Sequence, residues 1–164
     1  MRNEPVSEPV SDDGPEWFAG PDPRTGEKGL RFSCTMCGNC CTGPEGYVLV
    51  SDMEADALAR RLGLTVEEFL ARYTHRTFAG RSLTEKQSPF GFDCVFLDRE
   101  KIPGKAVCGV YEDRPVQCRT WPFWRSNLGS RAHWDRAGRT CPGINTGTRY
   151  SVQQIRIERA KIDI

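Results

Sequence analysis

The sequence predicts a small, irregular α+β domain organised around cysteine–metal centres. Three observations lead there. The chain of 164 residues carries eight cysteines, four of them between Cys34 and Cys41. Its hydrophobic share is 38%, below the ~45–50% usual for a globular domain, so apolar burial alone is thin for the length. Finally, helix-capping signals and short apolar strand runs alternate, with no repeat and no long element of either kind.

Several classes drop out on composition. No apolar run approaches the ~18–20 residues of a membrane span. The net charge of +1 is not that of a globally basic nucleic-acid binder. The opening Met1-Arg2-Asn3-Glu4-Pro5-Val6 has no apolar stretch, so it does not read as a secretory signal. A cytoplasmic, reducing compartment is therefore expected, where clustered cysteines serve metal or catalysis rather than disulfides.

Along the chain, residues 1–29 read as a disordered acidic tail. The first 30 residues hold seven acidic side chains against three basic ones. Such a composition buries too little apolar surface to offset chain entropy. Trp17 and Phe18 are the one pair able to pin the tail down. The cysteine-cluster domain is expected over 30–145, beginning at Leu30-Arg31-Phe32. Glycines and a proline make 34–46 a loop. Tyr47-Val48-Leu49-Val50 reads as a short strand.

Ser51 with Glu54 forms a capping box and opens a helix that Gly63 closes. Thr65 with Glu68 repeats the signal and opens a second helix through Phe69 and Tyr73. His75 falls at its expected end. Residues 77–111 look β-rich, with a hairpin turning through Asp98–Lys101. Arg114-Pro115 opens a short helical turn through Cys118. Trp121 to Cys141 reads as irregular and aromatic. Residues 146–164 read as a helix or strand packing on the domain: Val152, Ile155 and Arg159 favour a helix, and Ile157 and Ile162 blur the period.

The cysteines run Cys34-x2-Cys37-x2-Cys40-Cys41, then Cys94, Cys108, Cys118 and Cys141. Two-residue gaps let one loop aim successive sulfurs at a common centre. Iron–sulfur proteins use C-x2-C-x2-C runs in this way, whereas zinc sites more often use paired C-x2-C knuckles. Cys40 and Cys41 would project apart if the chain is extended there. The simple reading is two groups of four, each drawing on the early run and on the distal cysteines. One four-ligand centre with spare thiols is the alternative, and spacing assigns no cysteine to either. His75 and His133 read as structural. Gly43-Pro44-Glu45-Gly46 lacks the lysine of a phosphate-binding loop.

Cys34-x2-Cys37-Gly38-x-Cys40-Cys41, Cys108-Gly109-Val110-Tyr111, Arg114-Pro115-x2-Cys118-Arg119, Trp121-Pro122-Phe123 and Cys141-Pro142-Gly143 occur in that order. Together they resemble the CxxCxxCC, or YkgJ-type, cysteine-cluster family of zinc- or iron-chelating domains. The resemblance covers about residues 31–145 and takes in all eight cysteines. It implies metal binding through Cys34, Cys37, Cys40, Cys41, Cys94, Cys108, Cys118 and Cys141, with a 4Fe-4S type iron–sulfur cluster or Zn2+ as the cofactor. The family's distant relatives include the flagellin lysine methylases, larger proteins that use S-adenosylmethionine.

Arg114 and Arg119 bracket Cys118. Their guanidinium groups can donate to cluster sulfurs or hold a carboxylate, which makes them candidate cofactor-binding residues. Trp121, Phe123, Trp124 and Trp134 read as packing around the centre.

From Arg114 onward ten basic residues face three acidic ones. Such a segment could bind nucleic acid. Four thiolates on a divalent metal or a 2+ cluster leave about −2 per centre, however, so internal compensation is the expected use of that charge.

The function expected is metal binding through an iron–sulfur cluster or zinc, in a structural, redox or modification role. A structural zinc module for protein–protein contact and a metal chaperone are the alternatives. No sequence feature names a substrate, a reaction or a protein partner. Because structural metal binding is folding free energy, stripping the metal anaerobically should collapse the near-UV circular dichroism and lower the melting temperature. An unchanged spectrum and melting point would refute that dependence.

Overall fold

A computed structural model describes residues 16–164. The fold is α+β, as expected: six α-helices and nine short strands among the described residues, the strands in small antiparallel sheets. No helix among them is long and apolar enough to cross a membrane.

The capping signals place the first two helices. Ser51 caps α1 (Asp52–Leu62): its hydroxyl accepts from the Glu54 backbone while Glu54 returns to the Ser51 N–H, and Gly63 closes the helix at φ 68°. Thr65 and Glu68 do the same for α2 (Val66–Tyr73). Their buried faces, Ala55, Leu58, Ala59 and Phe69, meet Val50, Leu83 and Val110 in one apolar cluster. His75, expected at a helix end, lies instead in a strand opposite Ser82, because the chain turns extended at Thr74.

The β-rich stretch resolves into hairpins. β3 (Thr74–Thr77) pairs with β4 (Gly80–Leu83), and β5 (Glu85–Ser88) with β6 (Gly91–Cys94). The expected turn through Asp98–Lys101 joins β7 (Leu97–Asp98) to β8 (Val107–Cys108). Tyr47–Val50 makes no full strand. It lies along β4, where the Val50 N–H donates to the Arg81 carbonyl at 3.0 Å and the Leu83 N–H to that of Val48 at 2.9 Å.

A second cluster draws on both ends of the described chain: Phe18, Leu30, Phe123, Leu128, Trp134, Ala137, Cys141, Ile144 and Ile155. β1 (Leu30–Phe32) pairs with β9 (Ile144–Tyr150) to close it. The stretch expected to be irregular, Trp121 to Cys141, contains α4 (Arg125–Leu128) and α5 (Arg131–Thr140). Ser130 caps α5 and directs Trp134 and Ala137 inward. Trp134 is fully buried and stacks on Phe123 at 5.9 Å. The final segment settles as helix, α6 (Val152–Ala160), through a third capping box between Ser151 and Gln154.

Between the clusters runs α3 (Val116–Thr120). Glu54 of the first cluster's helix accepts from the Val116 N–H at 2.6 Å. The buried Gln117 side chain accepts from the Leu49 N–H at 2.8 Å and donates to the Tyr47 carbonyl at 3.0 Å. Arg61 pairs with Asp113 just ahead of it.

The acidic tail corrects the expectation of disorder where it is described. Residues 1–15 lie outside the described residues, but 16–29 pack on the domain. Phe18 is 2% exposed. The Trp17 indole N–H donates to the Leu128 carbonyl at 2.7 Å. Glu16 pairs with Arg156 and Arg159 at 2.6 and 2.7 Å, and Asp22 with Arg131 at 2.8 Å. Glu16 and Asp22 are thus partners for the basic end of the chain, while Glu27 pairs with Arg31. Phe18→Ala should lower unfolding stability by about 3–5 kcal/mol through loss of a fully buried ring, measured by denaturant unfolding. A change under about 1 kcal/mol would mean that Phe18 is not part of the folded core.

Candidate metal centre

The early cysteine run is held by backbone contacts at both of its sides. After β1, the Ser33 N–H donates to the Gly143 carbonyl at 3.1 Å and the Ser33 hydroxyl accepts from the Thr148 N–H at 3.0 Å. A Cβ on Gly143 would collide with the Ser33 carbonyl, so only glycine allows this approach. The Asn39 amide donates to the Thr140 carbonyl at 2.6 Å. The run is thereby fixed beside Cys141. On the other side, the Met36 carbonyl accepts from the Ala106 N–H at 2.8 Å. Gly38 sits at φ 79°, and a Cβ there would lie 2.6 Å from that of Ala106. Both features require glycine at the bend.

Asn39–Cys41 then forms a 3-10 turn, not the extended chain expected at Cys40-Cys41. The two sulfurs do not project apart. They lie 3.7 Å from each other and share a thiol hydrogen bond.

β2 (Thr42–Gly43) follows at once and pairs with β6, Thr42 opposite Asp93. This pairing carries a buried polar cluster beside the cysteines. Asp93 is 2% exposed. It accepts from Arg99 at 3.0 and 2.9 Å and from the Thr42 hydroxyl at 2.7 Å, and Arg99 also donates to that hydroxyl at 2.6 Å. Arg99 stacks over Phe90 at 4.4 Å. The hydrogen bonds from Arg99 hold the Asp93 carboxyl at about 2. This trio brings Cys41 alongside Cys94. No motif spacing marks it in the sequence, although a lone acid between Phe92 and Cys94 in an apolar strand is the kind of residue that must be paired if buried.

The distal cysteines come from separate elements. Cys94 ends β6 opposite Glu85, Cys108 lies in β8 opposite Leu97, and Cys118 lies in α3. Cys141 follows α5, is 6% exposed, and accepts from the Trp121 indole N–H at 3.5 Å. All eight cysteines are free thiols. All eight line one cavity of about 300 Å3. The donor set is soft and anion-forming, which suits zinc or iron. Among the described residues no three His, Cys, Asp or Glu side chains are gathered at the spacing of a single ion. The sulfurs stand around a space instead. Arg114 lines this cavity too, while Arg119 lines a second one adjoining it. His75 and His133 line neither.

The thiols resist ionising together. Burial pushes Cys94 up to about 11, and it also raises Cys108 and Cys118. Cys41 is raised first by its hydrogen bond to Cys40, then by burial and by the charges of Cys40, Cys118 and Cys94. Only Cys40 comes down, to about 7, through the Cys41 hydrogen bond and with help from Arg114. The mutual effects tie Cys40, Cys41, Cys94, Cys108 and Cys118 into one electrostatic group.

A family model described as CxxCxxCC, putative zinc- or iron-chelating domain, matches residues 33–142. No solved structure matches the chain.

The Asp93 carboxyl ionises lower in the folded chain than unfolded, where about 3.9 is ordinary. Its contribution to stability is therefore complete above about pH 4 and is lost as the pH falls towards 2. Asp93→Asn should remove that acid-sensitive component and cost about 2–3 kcal/mol at neutral pH, since Arg99 loses its charged partner. Denaturant unfolding of both proteins between pH 2 and 7 checks it. Parallel stability curves for the two would refute the assignment.

Proposed function

We propose, for a chain that belongs to the CxxCxxCC family of zinc- or iron-chelating domains, that its eight cysteines hold iron as iron–sulfur clusters. The single observation that carries the reading is the convergence of all eight thiols, from five separate parts of the chain, on one cavity. Sulfurs spread around a space of about 300 Å3 suit a group of several metal atoms better than one ion. The C-x2-C-x2-C run fits the same chemistry.

The thiols divide into two sets of four. Cys34, Cys37 and Cys40 form one with Cys141, because Asn39 and Ser33 dock the run on Thr140 and Gly143. Cys41, Cys94, Cys108 and Cys118 form the other, joined by the Thr42–Asp93 pairing and by the effect of Cys94 and Cys118 on Cys41, and Cys40 couples to them across the boundary between the sets. Cys40 and Cys41 make the two sets abut. When bound, the clusters supply a one-electron redox group. The chain's own residues bind it, exclude water with Trp121 and Phe96, and offset its negative charge with Arg114. The fold works in a reducing compartment, where the thiols stay free for metal.

A structural zinc module is the second reading, and the Cys40–Cys41 contact favours it. Their 3.7 Å separation is close to the ~3.8 Å edge of a tetrahedron with ~2.3 Å zinc–sulfur bonds. The two readings differ in whether these neighbours share one metal atom.

Anaerobic purification separates them. Brown protein with iron and acid-labile sulfide supports clusters, while colourless protein with stoichiometric zinc overturns them in favour of the zinc module. Cys118→Ser and Cys141→Ser should each leave about half the metal, since a serine hydroxyl replaces a soft thiolate poorly and the two belong to different sets. Loss of all metal from either variant would merge the sets into one centre.

A further inference from the structure

A second cavity of about 540 Å3 adjoins the cysteine cavity and shares Cys34, Cys40 and Cys118 with it. The same sulfurs are thus reached from an open outer side. The volume falls in the ~300–1,000 Å3 range of small-molecule sites.

The charges lining it are unevenly matched. Lys161 is held by Glu158 at 2.6 Å. Arg114 and Arg119 have no carboxylate partner among the described residues. Arg114 is oriented rather than neutralised: its Nε donates to the Tyr111 carbonyl at 3.0 Å, and the guanidinium lies 3.7 Å over the Tyr111 ring. That leaves its outer N–H groups free. Arg119 lies exposed on α3, and its side chain makes no hydrogen bond or ion pair among the described residues. Elsewhere Arg31, Arg61, Arg99, Arg131, Arg156 and Arg159 each meet an acid. Two unmatched guanidinium groups face the cavity beside the thiols, and Trp121, Phe123 and Tyr150 supply it with an apolar wall.

We propose that this outer chamber binds a small organic acid with an apolar body. The carboxylate sits on Arg114 and Arg119, whose planar forks match it in a two-pronged fashion. The body lies on Trp121, Phe123 and Tyr150, and its free end points to the side of the centre bearing Cys34 and Cys40. The proposal rests on the metal-holding reading only for what stands at that inner end; the anion site itself does not depend on it. A bare inorganic anion satisfies the arginines but leaves the aromatic wall unused.

Benzoate and inorganic phosphate are the probes, titrated calorimetrically into the full chain as purified, with metal content measured on the same samples. Benzoate should bind saturably and phosphate more weakly. Arg119→Gln should weaken benzoate at least tenfold without changing metal content or melting temperature. Arg136→Gln, which removes an exposed charge on α5 away from the chamber, should bind as wild type. Absence of saturable benzoate binding, equal loss in both variants, or tighter binding of phosphate than of benzoate would overturn the proposal. Benzoate binding that persists in wild-type protein lacking stoichiometric metal would overturn the metal reading and leave the anion site standing.

Discussion

Thiols buried side by side resist ionising unless positive charge arrives with them. Burial raises Cys94, Cys108 and Cys118, the Cys40 hydrogen bond and then burial raise Cys41, and Cys40 comes down through that same hydrogen bond with help from Arg114. Without that charge Cys41, Cys94, Cys108 and Cys118 stay protonated. A cation that enters releases protons and turns mutual repulsion into shared attraction. The surrounding structure therefore has to keep the sulfurs aimed inward before that charge is present. It does so with rigid backbone contacts at Ser33–Gly143 and Met36–Ala106, and with the buried Asp93–Arg99–Thr42 trio.

The cavity also lies at the seam of the molecule. One apolar cluster is built from residues 50–110, the other from residues 18–30 and 123–155. Cys94 and Cys108 pack against the first, and Cys141 belongs to the second. Polar contacts fasten α3, which runs between the clusters, to the side of the first: Glu54 with Val116, Gln117 with Leu49 and Tyr47, and Arg61 with Asp113 just ahead of the helix. In the proposed partition Cys94 and Cys108 belong to one set and Cys141 to the other, and the two sets meet at the Cys40–Cys41 contact. Metal held there would join the two clusters through adjacent residues, which suits a chain whose hydrophobic share is only 38%.

What could be read from the sequence was what local chemistry decides. The Ser51–Glu54 and Thr65–Glu68 boxes, the Gly63 stop and the hairpin through Asp98–Lys101 depend on residues a few positions apart. Helix α5 escaped notice because its core side holds only Trp134 and Ala137, too sparse an apolar stripe to stand out among arginines. The tail misled for the opposite reason. Glu16 and Asp22 look solvated in sequence, and their partners Arg131, Arg156 and Arg159 lie more than a hundred residues away. The same distance hid the site's supports. The cysteines announced themselves by spacing, but the 3-10 turn that joins the Cys40 and Cys41 sulfurs, and the Asp93 pairing beneath it, are set by contacts across the fold.

The pairing of β1 with β9 has a consequence for how the protein is made. Leu30–Phe32 has no strand partner until Ile144–Tyr150 exists. At roughly 5–20 residues per second, the ribosome needs about 5–20 s to pass from Cys41 to Cys141. For the later part of that interval, once they have left the ribosomal exit tunnel, the early thiols are exposed while the residues that will dock them, Thr140 and Gly143, are still unmade. A nascent chain in this state offers thiolates whose only preference is for soft metals. If the thiols hold metal as proposed, the geometry that would tell zinc from iron is complete only once the chain has been made through Cys141 and Gly143.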